Sequence, residues 1–97
     1  MRRTMGLSRK LTFSKRFNTE LAELAKLPRL REALAGVYHC LRNDADSHVT
    51  HITPVKVGII KTIAVGELPV LRFAFWILDA KTVRLYSVAV VPDENSA

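Results

Sequence analysis

Val70-Leu71-Arg72-Phe73-Ala74-Phe75-Trp76-Ile77-Leu78 is the stretch on which the fold turns. It is the longest apolar run in the chain, broken only by Arg72, and far short of the roughly 20 residues a membrane-crossing helix needs. Apolar side chains fall on both parities, as expected of a central β-strand covered on both faces. Asp79-Ala80-Lys81 follows as a short hairpin loop, and Thr82 to Val91 (TVRLYSVAVV) is a further run rich in branched residues. Upstream, Val55, Val57, Ile59, Ile63 and Val65 share one parity, with Lys61 the lone charge among them, before Gly66-Glu67 punctuates. Three successive β runs joined by short loops predict an antiparallel meander with one face in need of cover.

The N-terminal half supplies that cover. Phe17, Leu21 and Leu24 fall at i, i+4 and i+7, the spacing of one helical face, with Glu20 and Glu23 expected in the first turns. Ser14 or Asn18 can cap this helix, since either side-chain oxygen accepts an orphan backbone N–H. Leu30, Leu34, Val37 and Leu41 form a second stripe. Pro28 ends the first helix or opens the second, giving either a hairpin or one kinked helix. Arg9 to Phe13 alternates as a short strand, and Arg42 to Ser47 (RNDADS) reads as a polar linker without an apolar anchor. The fold class is therefore α+β: two N-terminal helices packed on an antiparallel sheet made of a short first strand and a three-stranded meander. One domain spans 1–97, with 1–8 a flexible arm and 92–97 a polar tail.

Charge is unevenly spread. Residues 1–17 hold six basic side chains and no acid, whereas 18–47 have four basic against five acidic and 48–97 five basic against four. A concentrated positive arm favours an anionic partner, with a solubilising tail as the plainer alternative. Arg9, Lys10, Lys15, Arg16 and, nearer the sheet, Lys56 are the cations available to such a partner, a nucleic acid such as RNA or an acidic protein segment. The single cysteine, Cys40, forms no internal disulfide and sits in a helix pattern as a small apolar side chain. Neither the histidines nor Cys40 show metal-ligand spacing. With no signal-peptide pattern at the N-terminus, the expected location is the cytoplasm.

Four residues stand out in the β region. Arg72 places a charge inside an apolar strand, which is costly unless it meets a polar surface or a partner. Lys61 breaks the apolar parity of its own strand: it can steady charge, act as a base with a lowered pKa, or stand as a solvated edge lysine. Arg84 and Tyr86 share a parity and hence a face, and Arg72 joins them there if the register allows. Such a cluster offers a phosphate clamp and a ring on which a base can stack, although core packing with a satisfied hydroxyl is the simpler account of Tyr86 alone. His48 and His51, three apart, fall on opposite faces of a strand and make no acid–base pair there.

The order strand, helix, helix, meander resembles the RelE/ParE toxins. Leu11–Leu27 (LTFSKRFNTELAELAKL) resembles their opening strand and first helix, and Lys61-Thr62-Ile63-Ala64-Val65-Gly66 a strand and turn bearing a basic residue. Leu71-Arg72-Phe73-Ala74-Phe75 is similar to their arginine-bearing strand, with Asp79-Ala80-Lys81 at the next hairpin and Val83 to Val88 in the following run. The resemblance covers about residues 9–91. It implies a toxin neutralised by an antitoxin that wraps it. For RelE-type members it implies a metal-free endoribonuclease, without cofactor, acting on mRNA in the ribosome; for ParE-type members it implies inhibition of a topoisomerase without nuclease residues. On the first pattern Arg72, Lys61 and Arg84 bind and stabilise phosphate and Tyr86 stacks on a base, with no membrane involved and a homodimer left open. Many RelE-type nucleases carry further basic or aromatic residues at or after the last strand; Ala89-Val90-Val91-Pro92-Asp93-Glu94 has none.

Overall fold

The computed structural model of the chain describes residues 8–52, 54–64 and 66–92. The expectations that fell on residues 1–7, Val65 and the tail from 93 onward lie outside these. Strand β1 (Lys10–Phe13) leads into helix α1 (Lys15–Glu23) and helix α2 (Leu30–Asp44), followed by a 3-10 turn (Ala45–His48). Four strands complete the order: β2 (Val49–Ile52), β3 (Lys56–Lys61), β4 (Leu71–Asp79) and β5 (Thr82–Val90). They form one mixed sheet ordered β1-β5-β4-β3-β2. β1 runs parallel to β5, and every other pairing is antiparallel. The protein is thus α+β, with two helices on one face of a five-stranded sheet.

The helices start and stop for local reasons. Ser14 caps α1: its backbone is extended, and its Oγ accepts the N–H of Phe17 at 2.9 Å. Phe17 is then fully buried against Phe73, their ring centroids 6.2 Å apart. α1 stops at Glu23, so Leu24 to Arg29 separate two distinct helices, and Pro28 sits in that turn two residues ahead of α2. Arg29 takes the left-handed conformation (φ 63°) at the cap of α2. The expected polar linker is instead the last turn of α2 and the 3-10 turn. Ala45, four residues after Leu41, continues the apolar stripe and is fully buried.

Strand phase brought two corrections. β4 is central, yet only Leu71, Phe73, Phe75 and Ile77 are buried; Arg72, Trp76 and Leu78 lie on a face that no described element covers. In β3 the helix side takes Gly58 and Ile60, leaving Ile59 and Lys61 on the open side. Gly58 explains that choice: a Cβ there would lie 2.3 Å from the His48 carbonyl oxygen and 2.6 Å from the Phe75 ring. β2 was not expected. It lies at the far edge of the sheet, with a register shift between Val49 and His51.

Candidate nucleic-acid interface

Residues paired across a sheet share a face, so the register states which side chains meet. One cross-strand row of the open face runs through all five strands: Thr12, Arg84, Trp76, Val57, His51. A second row carries Lys61, Arg72 and Ala89. Between them lie Ile59, Ala74 and Ser87. Lys10 and Thr12 continue the face on β1. From Arg84 to Lys61 these strand positions bear no carboxylate. Asp79, at the hairpin, has its Oδ1 engaged by the Lys81 N–H at 2.7 Å.

Arg72, Lys61, Arg84 and Tyr86 therefore share one face. Lys61 and Arg72 are direct cross-strand neighbours, with Cα atoms about 5 Å apart. Arg84 is paired with Trp76, four residues along β4 from Arg72, or roughly 13 Å at strand rise. Arg84 thus stands apart from the Lys61–Arg72 pair, and the face offers two cationic ends with an aromatic pair at one of them.

A bulge shapes that aromatic end. Ala74 pairs with Ser87 and Phe75 with Leu85, which leaves Tyr86 as the extra residue of β5. Leu85 and Val88 are consequently both buried, while Tyr86 is turned to the open side. Its ring stacks on Trp76 (centroids 5.1 Å apart, 11° between planes), and the Arg16 guanidinium lies over it at 5.5 Å. Arg16 also pairs with Glu20 at 3.1 Å. Glu20 does not serve the start of α1, as expected, because that helix already begins at Lys15. Its Oε1 instead accepts the N–H of Val88 at 3.0 Å. Partial burial opposes ionisation of this carboxyl, but the Val88 N–H and Arg16 outweigh it and hold the group below the usual glutamate range.

The other cations are dispersed. Arg9 is only 15% exposed in its side chain and pairs with Asp46 at 3.0 Å, which also receives Lys56 at 3.5 Å. Lys56 has the parity of Gly58 and Ile60, on the helix side. The Arg9 hydrogen bond, with the charges of Arg9 and Lys56, holds Asp46 below its ordinary range against a smaller opposing effect of burial. Arg9 and Lys56 thus form a structural ion cluster apart from the open face. Lys10 stands on the face, and Lys15 is exposed at the start of α1.

His48 lies in the 3-10 turn, while His51 is exposed on the open face, two strands from Trp76. Trp76 went unassigned in the sequence, although its signal was there. Arg72 marks the even positions of β4 as the wet side, and Trp76 is four residues on. On the helix side, Ala33, Gly36, Val37, Cys40 and Ile60 line a groove of about 350 Å³ between α2 and the end of β3. Among the described residues, no three of His, Cys, Asp and Glu gather as metal ligands, and no helix is long and apolar enough to cross a membrane. Comparison with models of known protein families, with known proteins and with solved structures finds no match for this chain.

Proposed function

We propose that this protein is a RelE-like toxin that takes single-stranded mRNA on its open sheet face, in the cytoplasm, and is held in check by an antitoxin. The observation that carries this reading is the open face itself: Lys10, Lys61, Arg72 and Arg84 surround a stacked Trp76–Tyr86 pair, with no carboxylate from Arg84 to Lys61. Cations that meet phosphates, beside rings that meet bases, are what a single strand requires. The order strand, helix, helix, meander supports the same family reading, with β2 added ahead of the meander.

Within this reading, Lys61 and Arg72 hold the scissile phosphate. The 2′-oxygen attacks phosphorus as its proton passes to water, the 5′-oxygen leaves and takes a proton from water to become a hydroxyl, and the two neighbouring cations stabilise the extra negative charge on the phosphoryl oxygens. Arg84 anchors a second phosphate along the strand.

A second reading is binding without cleavage, either as a ParE-like topoisomerase inhibitor or as a toxin that has lost its chemistry. It is favoured by the roughly 13 Å that separate Lys61 and Arg72 from the row holding His51, which leaves no histidine beside the first pair among the described residues.

Brief induction in bacterial cells, with transcripts mapped by primer extension, separates the two. Codon-phased cuts that vanish in Arg72→Ala are expected. Growth arrest with intact transcripts would establish the second reading.

A further inference from the structure

We propose that Trp76, and not Tyr86, is the platform on which an unpaired RNA base stacks. This rests on the reading of the open face as an RNA site and specifies which ring performs the recognition.

The sheet order decides the matter. β5 lies between β1 and β4, so Tyr86 has the start of α1 on one side and Trp76 on the other. From the first side the Arg16 guanidinium lies over the Tyr86 ring at 5.5 Å; from the second, the indole stacks on it at 5.1 Å. Both faces of the phenol ring are occupied. A base cannot enter without displacing Arg16, which Glu20 holds from behind at 3.1 Å.

Trp76 is placed differently. Tyr86 covers one face of the indole, and since the two residues are about equally exposed, at 38% and 36%, the difference is Arg16, which lies over the tyrosine ring. Its cross-strand neighbour on β3 is Val57, and its neighbours on the same face of β4 are Ala74 towards Arg72 and Leu78 towards the hairpin; on the Arg72 side only the small Ala74 stands beside the indole. Ala74, Ser87 and Ala89 make a low floor from Trp76 to Arg72. A base on the indole therefore has its phosphates within reach of Arg84 at one end and of Arg72 with Lys61 at the other. Tyr86 and Arg16 act as positioning residues that fix the indole from behind.

A duplex cannot use this site, because its bases are already stacked on one another. The ligand is a single strand, bound with little preference among bases, since every base has a π face.

Trp76 is the only tryptophan in the chain, so its fluorescence reports stacking on the native protein without any substitution. The probes are a ten-nucleotide oligouridylate, an abasic ribose-phosphate strand of equal length and a blunt RNA duplex, with binding followed independently by anisotropy of a 5′ label. The oligouridylate is expected to quench the indole in step with binding. The abasic strand is expected to bind about ten-fold more weakly, and neither it nor the duplex to quench. Trp76→Ala should lose about ten-fold in affinity for oligouridylate, Trp76→Phe less than about three-fold, and neither should change affinity for the abasic strand. Equal binding of base-bearing and abasic strands without quenching overturns the stacking role while leaving the phosphate-binding face intact. Failure of every strand to bind at low salt overturns the RNA reading and this inference together.

Discussion

Ser14 joins the start of α1 to the middle of the last strand: its Oγ donates to the Tyr86 carbonyl at 2.8 Å while accepting the Phe17 N–H at 2.9 Å. The serine N–H adds a third bond, to the Leu85 carbonyl at 2.9 Å. One hydroxyl therefore caps a helix and satisfies a backbone carbonyl at the bulge that turns Tyr86 outward. Beyond the end of β1, α1 takes over the edge of β5, with Glu20 serving the Val88 N–H in place of a strand.

Ser14→Ala removes the cap and leaves the Tyr86 carbonyl without its hydroxyl donor. Each loss costs about 1 kcal/mol, so urea unfolding is expected to show about 2 kcal/mol of destabilisation. Ser14→Asp keeps an acceptor for Phe17 but sets a carboxylate against a carbonyl, and should restore less than half. A change under about 0.5 kcal/mol in Ser14→Ala would show that water replaces the hydroxyl at no cost.

Acid should weaken the fold through Glu20 and Asp46. Both carboxyls are held below their ordinary range in the folded chain. A depressed carboxyl contributes stability that is complete above its unfolded pKa, roughly 4, and is lost as pH falls through the lower folded value. Glu20→Gln keeps an oxygen for the Val88 N–H but gives up the charge. Its deficit relative to wild type is expected to be about 1 kcal/mol at pH 7 and to shrink as pH falls below the ordinary glutamate range. Urea midpoints across that range decide it, since a gap that stays constant with pH would mean the charge on Glu20 contributes nothing.

The cations divide by face. Lys61→Ala, Arg72→Ala and Arg84→Ala should each reduce the salt slope of single-stranded RNA binding by about 0.7 between 50 and 200 mM salt. Arg9→Ala and Lys56→Ala remove charges that already serve Asp46 and should leave the slope unchanged. If Lys56→Ala matched Arg72→Ala, the RNA would have to reach the helix side, and the open face would lose its claim.

Much of the architecture could be read from residue spacing. The i, i+4, i+7 stripe of Phe17, Leu21 and Leu24, the Ser14 cap, the Asp79–Lys81 hairpin and the extents of β4 and β5 all express local periodicity or local turn chemistry. The misreadings concern which side of a strand faces inward. VLRFAFWIL is apolar on both parities because its even positions furnish an aromatic surface, not a second core. In β3 the phase is set by the missing side chain of Gly58, where the His48 carbonyl approaches, and composition is silent about that. β2 is short and exposed, and its strand character comes from pairing with β3. As for the site, the common face of Arg84 and Tyr86 followed from alternation, but the distance from Arg72 to Arg84 depended on the register and the bulge. Trp76 was passed over because a tryptophan in an apolar run resembles core.

The parallel pairing of β1 with β5 bears on the order in which the molecule is assembled. Ser14 and Tyr86 are 72 residues apart in the chain, and the first strand of the fold has no partner until the last one exists. At about 5–20 residues per second, a nascent chain holds β1 waiting for roughly 4 to 14 s while the helices and then the hairpin emerge. Closing so long a loop is slow compared with forming α2 or the β4–β5 hairpin, so the N-terminal strand docks as a late event onto a β5 edge left open until then. Emergence of β5, and not of any earlier element, is the step that gives the first strand its partner.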